Sequence, residues 1–280
     1  MSEEATPVEP RDAATVLLLR DEAPGLSVFM VKRHAKSGFM AGAYVFPGGT
    51  LDDADRADVL AHVTGRTGAE AAALLGEDDE AHALGLFVAA LRETFEEAGV
   101  LLARGADETE LGDARDRLNR GEPFAPIVDE LDVSLRADAL VPWSRWVTPT
   151  VERRRYDARF FVARAPSAQE AAHDRIEVTE GEWLRPTEAL DKWARGEIGL
   201  PPPTLRTVEQ LAGFDSVDAV FARALEEVPR PVQPELVQLE DTVALVLPGD
   251  PEHSIAERRI DGPTRFVLVE GVFRSADPES

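Results

Sequence analysis

Apolar residues along this chain change spacing from stretch to stretch, and each spacing predicts an element. Ala13-Ala-Thr-Val-Leu-Leu-Leu19 and Leu26-Ser-Val-Phe-Met-Val31 are short apolar runs around Asp21-Glu-Ala-Pro-Gly25, a strand, turn and strand. Gly38 to Val45 reads as a third strand entering a tight loop at Phe46-Pro-Gly-Gly49. Short helices are predicted over 55–63 and 69–75, and a longer one from about Glu80 through Ala98, where Val88, Leu91 and Phe95 recur at helical spacing. An amphipathic helix over 107–120 and a short one over 127–135 follow. Strands are then predicted over 140–147, 156–163 and 175–184. Helices over 186–194, 204–211 (capped by Thr204) and 216–227 lead to a linker over 229–234. Last come strands over 240–248 and 265–270.

The long helix carries the candidate chemistry. Glu93, Glu96 and Glu97 stand at i, i+3 and i+4, so their carboxylates share one face. Gly99 suits the left-handed residue that ends a helix, which puts the three anions in the last turn. There the macrodipole disfavours them, and they repel one another. A hard divalent cation held by oxygen ligands relieves both costs. The alternative is a solvated acidic face.

Composition narrows the classes. With 53 acidic against 30 basic residues, the net charge of −23 opposes affinity for a nucleic acid polymer or an anionic membrane. There is no cysteine, which excludes disulfides, zinc-thiolate sites and cysteine nucleophiles. Residues Met1 to Asp12 read as an acidic tail without a signal-peptide pattern. With no apolar stretch long enough to span a bilayer, a cytoplasmic protein is expected.

Phe46-Pro-Gly-Gly49 followed by Arg92-Glu-Thr-Phe-Glu-Glu-Ala-Gly-Val100 resembles the signature of the Nudix hydrolases. Two departures stand out. Thr94 occupies a position that is usually hydrophobic, and Arg92 lies 43 positions beyond Gly49 where the uninterrupted signature has fourteen, so roughly 29 residues are inserted. The glutamate expected between the two halves falls on Leu84 counted backward or on Asp55 counted forward. Either Asp55 replaces it or the role is unfilled. A split signature of this kind is similar to that of the mammalian peroxisomal coenzyme A diphosphatase branch (Nudix motif 19 type) and its bacterial relatives. Trp146-Val-Thr-Pro149, 154–161 and 196–204 agree with it.

The resemblance implies an α+β fold, a Nudix-type α/β/α sandwich with a mixed sheet. It places a tail over 1–12 and a catalytic domain over 13–213, with a helical insertion at about 50–85. A C-terminal extension over 214–275 would pack on the same domain. It further implies hydrolysis of a diphosphate linkage in a small molecule, with Mg²⁺ or Mn²⁺ held by Glu93, Glu96 and Glu97 and with Arg92 orienting those carboxylates. Gly48 and Gly49 would shape the loop against the substrate. Glu96 or Glu177 would accept the proton from water, and Glu180 is a further candidate near Trp183. Arg155 matches an Arg-aromatic-Asp sequence and is the expected phosphate contact among the arginines of 153–159. Within the coenzyme A pattern, Arg33 and Gly42 fit, whereas Gly38 stands where a second arginine belongs, a contact that Lys36 could replace.

Coenzyme A or acyl-coenzyme A is therefore the leading substrate, with ADP-ribose, dinucleotides and nucleoside-diphosphate sugars as alternatives. A catalytically silent Nudix-type binding module is the rival from another class. The strands after residue 240 fit three placements equally: on the main sheet, over the substrate, or at a homodimer interface.

Overall fold

The computed structural model describes residues 8–34, 42–172 and 178–278. In chain order the elements are β1 (Arg11–Asp21), β2 (Leu26–Arg33), β3 (Tyr44–Val45), β4 (Gly48–Thr50) and β5 (Val63–Thr64), then α1 (Gly68–Leu75), α2 (Glu80–Ala98), β6 (Ala103–Arg104), α3 (Glu108–Asn119) and α4 (Phe124–Glu130). They continue with β7 (Ser134–Arg136), β8 (Leu140–Val147), β9 (Tyr156–Arg164), β10 (Val178–Leu184), α5 (Pro186–Ala194), α6 (Pro202–Leu211) and α7 (Val217–Ala224). The chain closes with β11 (Pro231–Val232), β12 (Glu235–Gln238), β13 (Val243–Val246), β14 (Arg265–Val269) and β15 (Val272–Ala276).

The main sheet runs β10-β2-β1-β9-β8-β11, with β3 on β2 and β4 on β1. It is mixed, since β1 lies parallel to β9 and antiparallel to β2. Alternation along β1 divides its side chains between two layers. Val16 and Leu18 pack with Phe87, Leu91 and Phe95 of α2, together with α1, α3 and α4. Leu17 and Leu19 pack on the other face with Leu205, Val208 and Val220 of α6 and α7. The result is the expected α/β/α sandwich.

Local patterns held where periodicity was strong. Helix α2 spans the predicted 80–98; Asp79 caps its start, and Gly99 (φ 69°) ends it. Elsewhere tertiary pairing overrode local signals. Gly48–Thr50, expected as loop, is a strand because Ala13–Thr15 offers it a ladder. The predicted linker similarly contributes β11, paired parallel to β8. The predicted helix over 127–135 is α4 over 124–130 followed by β7, which takes β5 and β6 as neighbours. Most of 53–62 is 3-10 helix. Thr204 lies inside α6, which starts at Pro202. The expected tail reaches only part of 1–12: Arg11 and Asp12 belong to β1, and residues 1–7 lie outside the described residues.

The last strands do not extend the main sheet. They form a four-stranded antiparallel sheet, β12-β13-β14-β15, whose Leu247 and Phe266 join the apolar cluster of α6 and α7.

Candidate functional site

The end of α2 and the strand β4 build the site. Gly49 faces Glu93 so closely that an added Cβ would meet its carboxylate, at 2.6 Å from Cδ. Gly48 is equally confined, since a Cβ there would lie 2.8 Å from Thr15 Cα. Two glycines thus let the main chain of β4 lie against the carboxylates. The Gly48 N–H donates to Glu97 Oε2 at 2.9 Å, joining strand to helix.

Arg92 is the centre of the arrangement. Its side chain is 10% exposed. Nε and Nη2 donate to the two oxygens of Asp55, each at 2.9 Å, Nη2 also donates to Thr50 O at 2.9 Å, and Nη1 reaches Glu93 Oε1 at 2.7 Å and Glu96 Oε2 at 3.3 Å. Burial works against the guanidinium charge, but the hydrogen bonds to Asp55 and the charges of Glu93, Asp55 and Asp52 outweigh it and hold the pKa above its usual value. Asp55 is itself buried, and its Oδ2 accepts the Asp52 N–H at 2.9 Å. The inserted segment thus places the Asp55 carboxylate behind the signature arginine.

One partner of the site carries no local signal in the sequence. Arg115, on α3, donates from Nε to Glu96 O at 2.9 Å and from Nη2 to Glu97 O at 2.8 Å. These carbonyls belong to the last turn of α2, where intrahelical donors run out. The positive guanidinium also offsets the negative end of the helix dipole beside the three carboxylates.

The other predicted residues fall at different places. Val31 packs in the α2 layer, so Arg33, two positions along β2, lies on the same face. Its Nε is buried and has no hydrogen-bond partner among the described residues. Glu180 pairs across β10 and β2 with Lys32, which in turn pairs with Tyr44 on β3. Its carboxylate accepts from Lys32 Nζ at 3.0 Å and from Tyr44 Oη at 2.8 Å, on the sheet face that carries the second core. Burial, and then Glu180, push the Tyr44 pKa upward.

Arg155 is not delivered as an open phosphate contact. It is buried and donates from Nε to Thr148 O at 3.1 Å and from Nη1 to Val8 O at 2.6 Å, so its fork fastens main chain. Glu177, Lys36 and Gly38 lie outside the described residues.

Three carboxylates on one helical face, beside a glycine strand that leaves them room, form a hard oxygen donor set of the kind that suits a divalent cation. Among the described residues no three acidic, His or Cys side chains stand as a ready-made ligand cage. Glu93 and Glu96 accept from Arg92, and Glu97 accepts from the Gly48 N–H, contacts that a ligand-bearing carboxylate can retain through its second oxygen.

The NUDT19 Nudix domain pattern matches residues 69–211, which takes in α2 and the strands β6 to β10. The chain belongs to the Nudix hydrolases. It is similar to the human (Homo sapiens) protein "Acyl-coenzyme A diphosphatase NUDT19", 33% identical over 81% of this chain and 72% of that protein. The Xenopus laevis protein of the same name is 29% identical over 80% of this chain and 70% of its own length. A solved Nudix hydrolase from Alicyclobacillus acidocaldarius superposes with a TM-score of 0.66 at 26% identity, covering 77% of this chain and 96% of that one. As a Nudix hydrolase, this protein is an enzyme that cleaves a diphosphate linkage with the help of a divalent metal ion. Among the described residues no helix is long and apolar enough to cross a membrane.

Proposed function

We propose that this Nudix hydrolase cleaves the diphosphate of coenzyme A or an acyl-coenzyme A at the end of α2, with Mg²⁺ or Mn²⁺ held by Glu93, Glu96 and Glu97. The observation that carries the site is the Arg92 side chain, which binds Asp55, Glu93 and Glu96 together and so fixes the carboxylate face. The substrate class is supported by the names of the two acyl-coenzyme A diphosphatases above and by the NUDT19-type pattern.

A bound divalent ion would neutralise charge on the diphosphate and acidify a water. The chain supplies the rest. Arg92 and Asp55 keep the carboxylates of Glu93 and Glu96 at fixed angles, and the Gly48 N–H does the same for Glu97. Main-chain atoms of Gly48 and Gly49 border the site because neither residue carries a side chain. Arg33, whose Nε on the α2 face has no hydrogen-bond partner among the described residues, is the phosphate-binding candidate. Glu96, whose side chain is 26% exposed against 12% for Glu93, is the candidate to accept the proton from water.

The test incubates the purified protein with coenzyme A, acetyl-coenzyme A, ADP-ribose and a dinucleoside polyphosphate, each with Mg²⁺ or Mn²⁺, and identifies products by mass. Release of phosphopantetheine and adenosine 3′,5′-bisphosphate from coenzyme A, abolished by chelation and by Glu97→Gln, is the expected result. Cleavage of ADP-ribose with coenzyme A left intact would overturn the substrate assignment. Undiminished turnover in Glu97→Gln would overturn the site.

A further inference from the structure

A cavity of about 410 Å³ opens between β8, the helices α6 and α7, and the loop joining β13 to β14. It belongs to the α5–α7 layer, whereas Glu93, Glu96 and Glu97 belong to α2 on the opposite face of the sheet, and no residue lines both. Its size falls within the range of small-molecule sites.

The charge of its wall departs from that of the chain. In a protein of net charge −23, four arginines line this cavity against two acids. Two of the four are locally neutralised: Arg223 Nη2 lies 2.9 Å from both Glu227 and Asp261, and Arg230 pairs with Glu257. The other two are not. Arg258 has no ion pair and no hydrogen bond from its guanidinium among the described residues. Arg259 donates from Nη1 to Pro231 O at 2.9 Å, and its Nε has no partner among them.

The rest of the wall is also under-satisfied. Ser144 is 8% exposed, and its hydroxyl has no hydrogen-bond partner among the described residues; neither has the indole N–H of the adjacent Trp143. Buried polar groups are ordinarily paired, so unpaired ones in the wall of a cationic cavity favour a polar occupant. Trp143 and Phe214 meet edge to face at 6.0 Å and give one side of the cavity an aromatic surface. Two arginine forks suit phosphate oxygens, and the aromatic pair suits a flat ring.

We propose that this cavity is a second ligand site, distinct from the carboxylate site, that takes a molecule bearing both a phosphate monoester and a planar ring, of the nucleoside monophosphate class. Arg258 and Arg259 hold the phosphate, and Trp143 and Phe214 border the ring.

The test titrates the full-length protein with AMP, adenosine and inorganic phosphate in the presence of EDTA, read by calorimetry and tryptophan fluorescence. AMP is expected to bind saturably at one site, more tightly than adenosine or phosphate. Arg258→Glu should weaken AMP binding about tenfold or more, the loss of a charge-assisted contact. Glu97→Gln should bind AMP as the wild type does. Arg258 is exposed, so its substitution leaves the fold intact, which circular dichroism checks. Absence of saturable AMP binding overturns the proposal, as does binding that Glu97→Gln abolishes and Arg258→Glu spares. Phosphate binding as tightly as AMP would overturn the assignment to a ring-bearing ligand.

Discussion

Arg92 grips Asp55 with a two-point fork, Nε and Nη2 each 2.9 Å from a separate carboxylate oxygen, across 37 positions of sequence. Both groups are buried. Removing one charge from such a pair leaves the other uncompensated, at a cost of about 3–5 kcal/mol. Asp55→Ala should therefore lower the thermal midpoint and reduce kcat more than it raises KM, since Glu93 and Glu96 lose their fixed partner. Asp55→Glu, which keeps the charge, should recover part of the activity. Equal activity in Asp55→Ala and wild type would refute this coupling.

Gly49→Ala would push a methyl group into the Glu93 carboxylate. The fold should survive, because the carboxylate is the movable end of a side chain. Activity should fall by about tenfold or more if a displacement of this size misaligns the site. Unfolding curves and steady-state rates on the same preparation separate the two effects.

Arg115 satisfies two carbonyls at the end of α2 from a different helix. Its replacement by Ala should cost about 1–3 kcal/mol, the penalty for leaving such acceptors unpaired. It should also weaken metal dependence, measured as a higher Mn²⁺ concentration for half-maximal rate. A stability loss with an unchanged metal requirement would limit Arg115 to a structural role.

Arg155 fastens Thr148 and Val8 rather than facing the carboxylates. Arg155→Ala is expected to lower stability while leaving KM within about twofold of wild type, as for a residue that makes no substrate contact. A large rise in KM at unchanged stability would return Arg155 to the substrate site.

Asp250 anchors the C-terminal sheet. Burial pushes its pKa up, but hydrogen bonds from Arg265 (2.7 and 2.9 Å), the Glu252 N–H and Thr264 outweigh that and hold it below the usual carboxylate range. A depressed folded-state pKa contributes stability that is present above the unfolded value and is lost as pH falls through the folded one. Asp250→Asn should thus be less stable than wild type at pH 7, with the gap closing on acidification below the ordinary carboxylate pKa. Urea midpoints for both proteins at pH 7 and near pH 3 check the sign.

The sequence alone determined what local spacing controls. Val88, Leu91 and Phe95 at helical intervals, Glu93, Glu96 and Glu97 on another face, and Gly99 as terminator specify α2 without reference to any distant residue. The Nudix signature likewise needs only order along the chain. Tertiary structure alone decided which partners those residues take. Counting alone left open whether Asp55 replaces the expected glutamate or the role is unfilled, and only folding of the inserted segment brings the Asp55 carboxylate against Arg92. Arg115 carries no motif, yet it closes α2 from another helix. Arg155 carries one, yet nearby carbonyls take up its donors. Periodicity is a property of neighbours in sequence, whereas the partner of a buried charge is whichever opposite group the fold brings within hydrogen-bond reach.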